Sequence, residues 1–328
     1  MRIVVLDAFS VDQGELAWDA LAALGELAVH ARTAPAAVHD RARDREAVLT
    51  NKVVLAPRDL EALPALRYIG VVATGTNVVD LEFCRARGIA VTNVPGYAAG
   101  AVAEHVFAML LHWFDDVSAY GPRVKPNGWS ESPDYCFFLG RRQGLADKTL
   151  ALLGLGHIGR RVAQIGRAFG MNVVAAAVPG SAAELCAEGV RPDQGRVELF
   201  SALAEADVVS LHCPLTERTR GLVDRRFLRA MKPGAVLVNT SRGALVDEAA
   251  LAEALKEGRL GAALLDVLAQ EPPPRDHPLL DPAAPFADRI LVTPHMSWGT
   301  VETRRLLIAE VAENLAAFQR GERRNRVD

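Results

Sequence analysis

Length, composition and charge limit the classes of protein to which this chain can belong. It has 328 residues, 50% of them hydrophobic, which is enough for about two domains with a core each. Its net charge is −3 and charges of both signs are interspersed, so no basic field indicates a nucleic acid or an anionic membrane as partner. The opening "MRIVVLDAF" is too short for a signal peptide, no apolar stretch approaches a membrane span, and the four scattered cysteines indicate neither disulfides nor a metal site, so we expect a cytoplasmic, metal-free protein.

The first hundred residues alternate apolar runs with amphipathic stretches. Runs rich in β-branched residues predict strands within 2–8, 26–31, 47–51, 67–74 and 89–94. The stretches between them predict helices within 14–25, 57–66 and 78–88. The last ends at Gly88, a residue that suits a helix C-terminus. Such alternation predicts a parallel sheet with helices on both faces.

A long apolar stretch and an aromatic-rich segment follow. Residues 98–118 predict one long helix. Residues 120–145 are rich in Gly, Pro and Ser and form too long a stretch for an ordinary loop. Four aromatic residues favour an interface over disorder there, namely Trp129, Tyr135, Phe137 and Phe138.

The strand and helix alternation restarts at Lys148. Strands are predicted within 149–156, 172–177, 207–213, 235–241, 260–267 and 290–295. A helix is predicted to begin after Asp247, which can serve as its N-cap. A terminal helix over about 300–320 has apolar residues at helical spacing that we interpret as core, namely Val301, Leu307, Val311, Leu315 and Phe318.

The sequence "GLGHIG", residues 154–159, has the G-x-G-x-x-G pattern of a dinucleotide-binding turn. An apolar strand precedes it and an amphipathic helix follows, which is the context that the pattern needs. Gly154 permits the turn, Gly156 lets the backbone approach a pyrophosphate, and Gly159 lets the helix pack against the strand. The helix N-terminus favours phosphate, to which Arg160 can add a charge.

Polar residues also follow several later strands. His212, Arg242, Asp266, Glu271 and His295 stand at or just beyond strand ends. Ligands of open parallel sheets bind beyond the carboxyl ends of the strands, so these residues predict one site. Each of them alone also fits an ordinary role, such as a surface cation, a loop carboxylate or a histidine with its hydrogen bonds satisfied. Their joint occurrence favours the site.

These residue types suit hydride transfer between a nicotinamide and a carbonyl carbon. The carbonyl oxygen needs a proton donor, and histidine is the usual one because it titrates near neutral pH. A neighbouring carboxylate favours the protonated imidazole and fixes its tautomer. A carboxylate substrate needs a cation with fork geometry, which arginine has and lysine lacks.

Several motifs together resemble the D-isomer-specific 2-hydroxyacid dehydrogenases. They are "ATGTNVVD", "GLGHIG", "HCPLT", "NTSRGALVDE", "DVLAQEPP" and "TPHMSWGT", in the family's order and spacing. The resemblance covers most of the chain and is weakest before about residue 45 and in 178–200. The sequence "VLTNK" and the pair His295 and Trp298 are similar to the hydroxypyruvate reductase/glycerate dehydrogenase branch.

This resemblance implies two doubly wound parallel-sheet α/β domains. A Rossmann cofactor domain, residues 100–293, would be inserted into a flavodoxin-like substrate domain formed by 1–99 and 294–328. It also implies a homodimer joined through the long helix and the following arm, with Phe137 or Phe138 reaching the partner's active site.

The resemblance implies roles for individual residues as well. Arg242 would bind the substrate carboxylate and polarise its carbonyl, and Glu271 would pair with His295, the general acid of reduction. Asp266 would orient the nicotinamide. The substrate contacts would be Thr74 and Gly75 through their backbone N–H groups, with Arg242, His295 and Trp298. The cofactor contacts would be Val102, Gly154, Gly156, His157, Ile158, Gly159, Ala177, His212, Cys213, Pro214, Thr219, Thr240, Ser241, Arg242, Asp266, His295 and Ser297.

The end of the second strand of the cofactor domain departs from the family pattern. Members that prefer NAD commonly have an acid where this chain has Ala177, and members that prefer NADP usually have an arginine shortly after. Here the chain continues Val178-Pro179-Gly180-Ser181-Ala182, with Ser181 the one side chain able to reach a phosphate. A hydrogen bond to a charged group contributes about 1.5–3 kcal/mol, so we expect weak discrimination between NAD and NADP.

The resulting prediction is an NAD(P)H-dependent reductase of a small 2-keto acid, hydroxypyruvate or glyoxylate, that forms the D-2-hydroxy acid. Two alternatives remain open from the sequence. One is a cofactor-sensing regulatory module of the same fold, which the presence of Arg242, Glu271 and His295 disfavours. The other is a family dehydrogenase that acts on phosphoglycerate, formate or phosphite.

Overall fold

The computed structural model describes residues 1–140, 142–179 and 196–328, and the chain divides into two compact units. Unit 1 comprises Met1–Ala98 and Trp298–Asp328, and unit 2 comprises Ala99–Ser297. Each unit is built on a parallel sheet with helices, which confirms the predicted fold class.

Unit 1 contains a five-stranded parallel sheet. Its strands are β1 (Arg2–Val5), β2 (Glu26–Val29), β3 (Ala47–Thr50), β4 (Tyr68–Val71) and β5 (Ala90–Thr92). The helices among them are α1 (Asp19–Ala22), α2 (Val38–Ala42), α3 (Pro57–Glu61) and α4 (Leu81–Arg87). The order β2-β1-β3-β4-β5 is the flavodoxin-like one. Gly88 caps α4 with φ 67°, as its sequence position predicts.

Unit 2 contains a six-stranded parallel sheet. Its strands are β6 (Thr149–Leu153), β7 (Asn172–Ala176), β8 (Val208–Leu211), β9 (Val236–Asn239), β10 (Ala262–Leu265) and β11 (Ile290–Val292). Its helices are α5 (Ala99–Asp115), α6 (Val117–Val124), α7 (His157–Ala168), α8 (Leu199–Glu205), α9 (Arg225–Ala230) and α10 (Glu248–Lys256). The order β11-β10-β9-β8-β6-β7 reverses between β6 and β8, where doubly wound sheets bind their ligands.

The inner strands of unit 2, β6, β8, β9 and β10, are buried on both faces because helices cover both sides of the sheet, while the edge strands β7 and β11 are only partly buried. Phe107 and Leu110 of α5 pack with Val162 of α7 in one apolar cluster. Leu203 of α8 and Phe227 of α9 belong to the cluster on the opposite face. Such two-sided cover explains why these strands are continuous apolar runs rather than alternating ones.

The terminal helix α11 (Val301–Gln319) belongs to unit 1. Leu307, Val311 and Leu315 are fully or almost fully buried in the core of that unit, as their spacing predicts. The Phe318 ring lies 5.0 Å from the ring of Tyr68 on β4. This helix therefore completes the apolar cover of one face of the sheet in unit 1.

The helix predicted within residues 14–25 is wrong over most of its length, since α1 covers only Asp19–Ala22. The reason is Asp12, whose carboxylate accepts hydrogen bonds from the backbone N–H groups of Gly14, Glu15 and Leu16. A side chain that satisfies these donors holds the backbone in a turn, which competes with helix formation.

The single helix predicted over 98–118 is two helices, α5 and α6. Asp116 separates them with φ 42°, a left-handed conformation that ends an α-helix. The predicted arm at 120–145 thus starts within α6. Beyond it, Trp129, Tyr135 and Phe138 are 52%, 93% and 67% exposed within this chain.

The C-terminal boundary between the units lies after Ser297 rather than at the predicted 293/294. The physical reason is Asp266 of unit 2, whose carboxylate accepts hydrogen bonds from the backbone N–H groups of Met296 and Ser297. Its carbonyl oxygen accepts another from the N–H of His295. The segment 294–297 is therefore bound to unit 2, while the assignment of substrate and cofactor to the two units remains a prediction.

Membrane-spanning segments and metal clusters are both absent from the part of the chain that the structure describes. None of its helices combines the length and the apolar character that a bilayer crossing requires, and no group of three or more His, Cys, Asp or Glu side chains could hold an ion. The described cysteines, Cys84, Cys136 and Cys213, are free thiols, and Cys186 lies outside the described residues.

Candidate active site

The glycine-rich turn after β6 is held against the end of β8 by contacts that leave no room for side chains. Gly154 has φ 108°, and a Cβ there would lie 2.5 Å from the carbonyl oxygen of His212. A Cβ on Gly159 would lie 2.1 Å from the carbonyl oxygen of Gly154. A Cβ on Gly156, in contrast, would meet nothing within 4 Å. The first and third glycines are therefore needed by the fold, and the second faces open space.

The residues around this turn fit a dinucleotide. Gly156 is the N-cap of α7 and provides no side-chain cap, so the N–H groups of the first turn, at His157 and Ile158, remain for a phosphate. The hydroxyl of Thr240, a residue only 8% exposed, has no hydrogen-bond partner among the described residues. A buried hydroxyl of this kind indicates a missing partner. Arg161 donates to the side-chain oxygen of Gln164 over 3.2 Å at the exposed surface of α7.

The loop after β8 is tied to the loop after β9 and braced internally. The hydroxyl of Ser241 donates to the carbonyl of Cys213 over 2.8 Å, and that of Thr219 donates to the carbonyl of Pro214 over 2.7 Å. Burial raises the pKa of the Cys213 thiol to about 11, so this cysteine is neutral at physiological pH. These contacts bring predicted cofactor residues of two loops together.

His212 lies beside the glycine-rich turn as a neutral imidazole. Its Nε2 atom is 2.9 Å from the hydroxyl of Ser210, and desolvation lowers its pKa to about 4. A neutral ring at the strand end can line a cofactor pocket without a charge.

Arg242 follows β9 in a loop whose shape depends on two neighbours. The side chain of Asn239 donates to the carbonyl of Arg242 over 2.9 Å and accepts from the N–H of Ser241 over 3.0 Å. A Cβ on Gly243 would lie 1.9 Å from the backbone carbon of Leu268. Gly243 thus lets this loop approach the one that carries Glu271, a role the sequence analysis missed. The Arg242 guanidinium donates to the carbonyl of Ser241 over 2.7 Å.

Glu271 and His295 form the hydrogen-bonded pair that the family resemblance implies. The distance from His295 Nδ1 to Glu271 Oε2 is 2.6 Å, and the two side chains are 26% and 35% exposed. The other carboxylate oxygen of Glu271 accepts from the N–H of Leu268 over 3.1 Å. An ionised carboxylate only accepts, so Nδ1 is the ring nitrogen that carries the proton in this pair.

A partly buried polar network supports the loop that carries Glu271. Glu248, at the start of α10, accepts from the N–H of Ala269 over 2.8 Å, and its other oxygen lies 3.1 Å from His277 Nε2. His277 Nδ1 accepts from the N–H of Leu279, so its Nε2 must be the donor to Glu248. The sequence analysis missed both residues. Their only signal was a charged residue directly after the N-cap Asp247 and a histidine between prolines.

Asp266 is fully buried and bonded to the segment that carries His295. Its two oxygens accept from the hydroxyl of Thr293 over 2.6 Å and from the N–H groups of Met296 and Ser297 over 3.0 Å each. A carboxylate has about four acceptor sites, so about one remains. The predicted contact of Asp266 with a nicotinamide stays a prediction, and its observed contacts are with the chain itself.

The end of β7 contains no acid at the position that holds the ribose in NAD-preferring members. Ala177 donates its N–H to the carbonyl of Val197, which runs parallel to the strand end. The next residue, Glu198, accepts from the N–H and hydroxyl of Ser201 and so caps α8. The carboxylate is committed to the helix, and Ser181 lies outside the described residues.

Three of the remaining predicted residues lie in loops or turns, and the fourth lies on a helix. Thr74 is in unit 1 with Gly75; its hydroxyl donates to the carbonyl of Val94 over 2.8 Å. Trp298 is also in unit 1, with its ring 6.3 Å from that of Tyr97. Val102 is buried within α5 of unit 2. Their contacts with substrate or cofactor remain predictions.

Proteins with established names are similar to this chain over much of its length. The family model of the D-isomer specific 2-hydroxyacid dehydrogenase NAD-binding domain matches residues 107–297. The chain is 36% identical to a hydroxypyruvate reductase from Blautia hydrogenotrophica, over 98% of each chain. It is also 36% identical to a glycerate dehydrogenase from Methylorubrum extorquens, over 90% of this chain and 89% of that one.

Two solved structures with cofactors are similar over nearly their whole length. A D-lactate dehydrogenase from Aquifex aeolicus, complexed with NAD and lactic acid, has a TM-score of 0.78 at 28% identity and covers 98% of this chain and 96% of its own. An acyclic imino acid reductase in complex with NADPH and D-arginine has a TM-score of 0.82 at 26% identity, with full coverage of both chains.

Proposed function

We propose a specific reaction for this chain from the premise that it belongs to the D-isomer specific 2-hydroxyacid dehydrogenase family. It is therefore an oxidoreductase that interconverts 2-keto acids and 2-hydroxy acids with a nicotinamide cofactor. The substrate that we propose is hydroxypyruvate, with glyoxylate as the second choice, and the product is the D-2-hydroxy acid. The 2.6 Å bond between Glu271 and His295 carries this proposal, because carbonyl reduction needs such a proton donor.

The proton transfer that we propose uses His295. When the imidazole is protonated, Nδ1 donates to Glu271 and the proton on Nε2 passes to the carbonyl oxygen of the substrate. The neutral ring that remains keeps its proton on Nδ1, and Nδ1 still donates it to Glu271. The orientation of the ring therefore does not change. A bound reduced nicotinamide supplies the hydride to the carbonyl carbon.

Substrate binding in this proposal depends on Arg242. Its guanidinium can form two parallel hydrogen bonds with a carboxylate, and no carboxylate of the described residues forms an ion pair with it. Thr74, Gly75 and Trp298 remain candidates for further substrate contacts. The cofactor would lie on the residues of the glycine-rich turn and on Thr240 and Ser241.

A reductase screen tests this proposal. Hydroxypyruvate, glyoxylate, pyruvate and phenylpyruvate are each supplied with NADH and with NADPH, and the enantiomer of each product is determined. We expect the highest kcat/KM with hydroxypyruvate and a D product. Formation of the L enantiomer, or a clear preference for phenylpyruvate, would show that the proposed substrate is wrong.

We also propose that the enzyme discriminates weakly between NADH and NADPH. Ala177 cannot bind the ribose hydroxyls through a side chain, and Glu198 is committed to capping α8. The missing hydrogen bond between an acidic side chain and the ribose of NADH corresponds to about tenfold to a hundredfold in affinity for NADH. Dissociation constants measured by calorimetry should thus be similar for the two cofactors, and Ala177→Asp should favour NADH. A preference of about a thousandfold in the wild type would contradict this proposal.

A homodimer formed through α5 and the segment 120–145 is the assembly that we propose. The exposure of Trp129, Tyr135 and Phe138 within a single chain supports it, because large aromatic side chains are enriched at interfaces. Light scattering should give twice the mass of the chain, and Tyr135→Ser with Phe138→Ser should shift the protein towards the monomer. A wild-type monomer at all concentrations would exclude this assembly.

A further inference from the structure

His295 has a backbone conformation that needs support from its surroundings. Its φ of 52° lies in the left-handed region, which residues with a Cβ rarely adopt. Such a conformation persists at a site only where neighbouring contacts hold it. The N–H of His295 donates to the carbonyl oxygens of Asp266 and Thr293, over 2.8 and 3.0 Å.

The buried carboxylate of Asp266 holds the residues on both sides of His295. Thr293 on the N-terminal side and Met296 and Ser297 on the C-terminal side all donate to it. With its side chain fully buried, this carboxylate is also protected from competition by water. The orientation of the His295 ring therefore depends on the position of one side chain on the strand end of β10.

The direction of the hydrogen bonds extends this network to α5. The carboxylate can only accept, so the hydroxyl proton of Thr293 points to Asp266. A hydroxyl has a single proton, and the Thr293 oxygen must therefore accept from His105 Nε2, which lies 3.0 Å away. His105 Nε2 also lies 3.8 Å from the nearer Asp266 oxygen. The partial positive charge on its hydrogen therefore also stabilises the negative charge of the carboxylate.

The helix that carries His105 is a rigid support. Val102, Val106 and Leu110 on α5 are buried, and α5 packs against α7 and β10 of the same unit. The side chain of His105 is itself only 17% exposed. A polar side chain in this largely buried stretch has one described role, the contact with Thr293 and Asp266.

We infer that His105 and Thr293 are positioning residues that hold His295 against Glu271 through Asp266. This inference rests on the proposed function in one respect, namely that His295 is the proton donor. The path runs from α5 through two hydrogen bonds to the carboxylate that fixes the His295 segment. Neither His105 nor Thr293 touches the reacting atoms in this account.

Two pairs of variants test the inference. Thr293→Val removes the hydroxyl and keeps the shape, whereas Thr293→Ser keeps the hydroxyl. His105→Phe removes the donor and keeps a ring, whereas His105→Gln keeps an N–H donor. We expect Thr293→Val and His105→Phe to lower kcat about tenfold to a hundredfold, because small misplacements of a catalytic group have effects of that size. KM and the cofactor dissociation constant should stay close to those of the wild type, and Thr293→Ser and His105→Gln should restore most of kcat.

Thr92→Val in unit 1 is the matched control. Thr92 on β5 is buried, and its hydroxyl lies 2.6 Å from the hydroxyl of Tyr68, so the same substitution removes a comparable buried hydrogen bond. It should lower Tm by an amount similar to Thr293→Val while leaving kcat unchanged. Equal losses of kcat in Thr92→Val and Thr293→Val would overturn the inference, since they would show a general effect of reduced stability.

A measurement without turnover separates this inference from the proposed function. The Nδ1 proton of His295, bonded to Glu271, should give a low-field proton resonance in NMR spectra that disappears in Glu271→Gln. We expect Thr293→Val and His105→Phe to weaken or shift this resonance. An unchanged resonance in both variants would overturn the inference, even if the protein reduces 2-keto acids. If the wild type reduces none of them, the proposed function fails while the resonance still tests the network.

Discussion

The glycine-rich turn and the Glu271–His295 pair are positioned in different ways. The turn is shaped by the absence of side chains, since Gly154 and Gly159 let backbone atoms approach where a Cβ would overlap a carbonyl oxygen. The pair is shaped by the presence of side chains, because Asp266 holds the segment that carries His295. The shape of the turn thus depends on six consecutive residues, whereas the Glu271–His295 pair depends on residues from several parts of unit 2.

This difference determines what each region tolerates. In the turn, a substitution acts through the volume of the side chain that it adds. Its effect depends on whether other atoms of the chain already occupy the space of the new side chain. In the pair, a substitution acts through the hydrogen bond it removes, and its effect reaches the ring of His295 through the network. Variants of the two regions should consequently change different measured quantities.

Among the variants that keep His295, the largest expected effect is that of Glu271→Gln. The amide keeps the shape of the side chain but no longer stabilises a protonated imidazole, so His295 loses its electrostatic partner. We expect kcat to fall about a hundredfold or more, with unchanged cofactor affinity. Steady-state kinetics measure kcat, and calorimetry measures the affinity for the cofactor. A loss of cofactor affinity comparable to the loss of kcat would contradict the view that the pair and the turn affect different quantities.

Gly159→Ala should have the next largest effect, and it belongs to the turn. Its Cβ would lie 2.1 Å from the carbonyl oxygen of Gly154, so α7 has to move away from the end of β6. Overpacking of this kind costs about 1–3 kcal/mol, and both Tm and cofactor affinity should fall. Thermal unfolding of the protein without cofactor measures the fall in Tm. A Tm equal to that of the wild type would show that the packing is looser than described.

Gly156→Ala is the matched variant in the same turn and should have a smaller effect of a different kind. Among the described residues, none beyond the immediate chain neighbours comes within 4 Å of the added Cβ, so Tm should not change. The methyl group occupies the space that we assign to the pyrophosphate, and the cofactor dissociation constant should rise about tenfold. Unchanged cofactor binding would place the pyrophosphate elsewhere.

His212 should give the smallest effect, visible only in acid. Its pKa is lowered from 6.5 to about 4 by desolvation, so the unfolded chain binds this proton more readily than the folded one. The free energy of unfolding should therefore decrease as the pH falls from 6.5 towards 4. NMR titration should show no protonation of His212 above about pH 5, and a midpoint near 6.5 would contradict the burial of its ring.

The glycine-rich turn and the order of strands and helices could be predicted because each has a local signature, whereas the pairing of Glu271 with His295 was implied by the family resemblance. A strand, three glycines and a helix define the turn within one stretch of chain. Polar residues at strand ends of a parallel sheet must lie at one edge, which places Glu271 and His295 near one another. The geometry of parallel sheets thus predicts one shared site, and the resemblance adds which two of its residues form a pair.

The supporting contacts could not be predicted because they join residues far apart in the sequence. His105 and Thr293 are 188 residues apart in the sequence. Nothing in the sequence around a histidine of an apolar helix indicates which residue it contacts. Gly243 resembles any loop glycine until its approach to Leu268 is seen. The short α1 has a similar cause, since one carboxylate, that of Asp12, satisfies the donors that a longer helix would have used.

The substitution His295→Ala tests the central claim most directly. It removes the proposed proton donor and leaves the glycine-rich turn unaltered, so the two regions are separated in one variant. We predict that kcat with hydroxypyruvate falls at least a hundredfold while the NADH dissociation constant, measured by calorimetry, stays within about twofold of the wild type. Turnover close to that of the wild type in this variant would contradict the account.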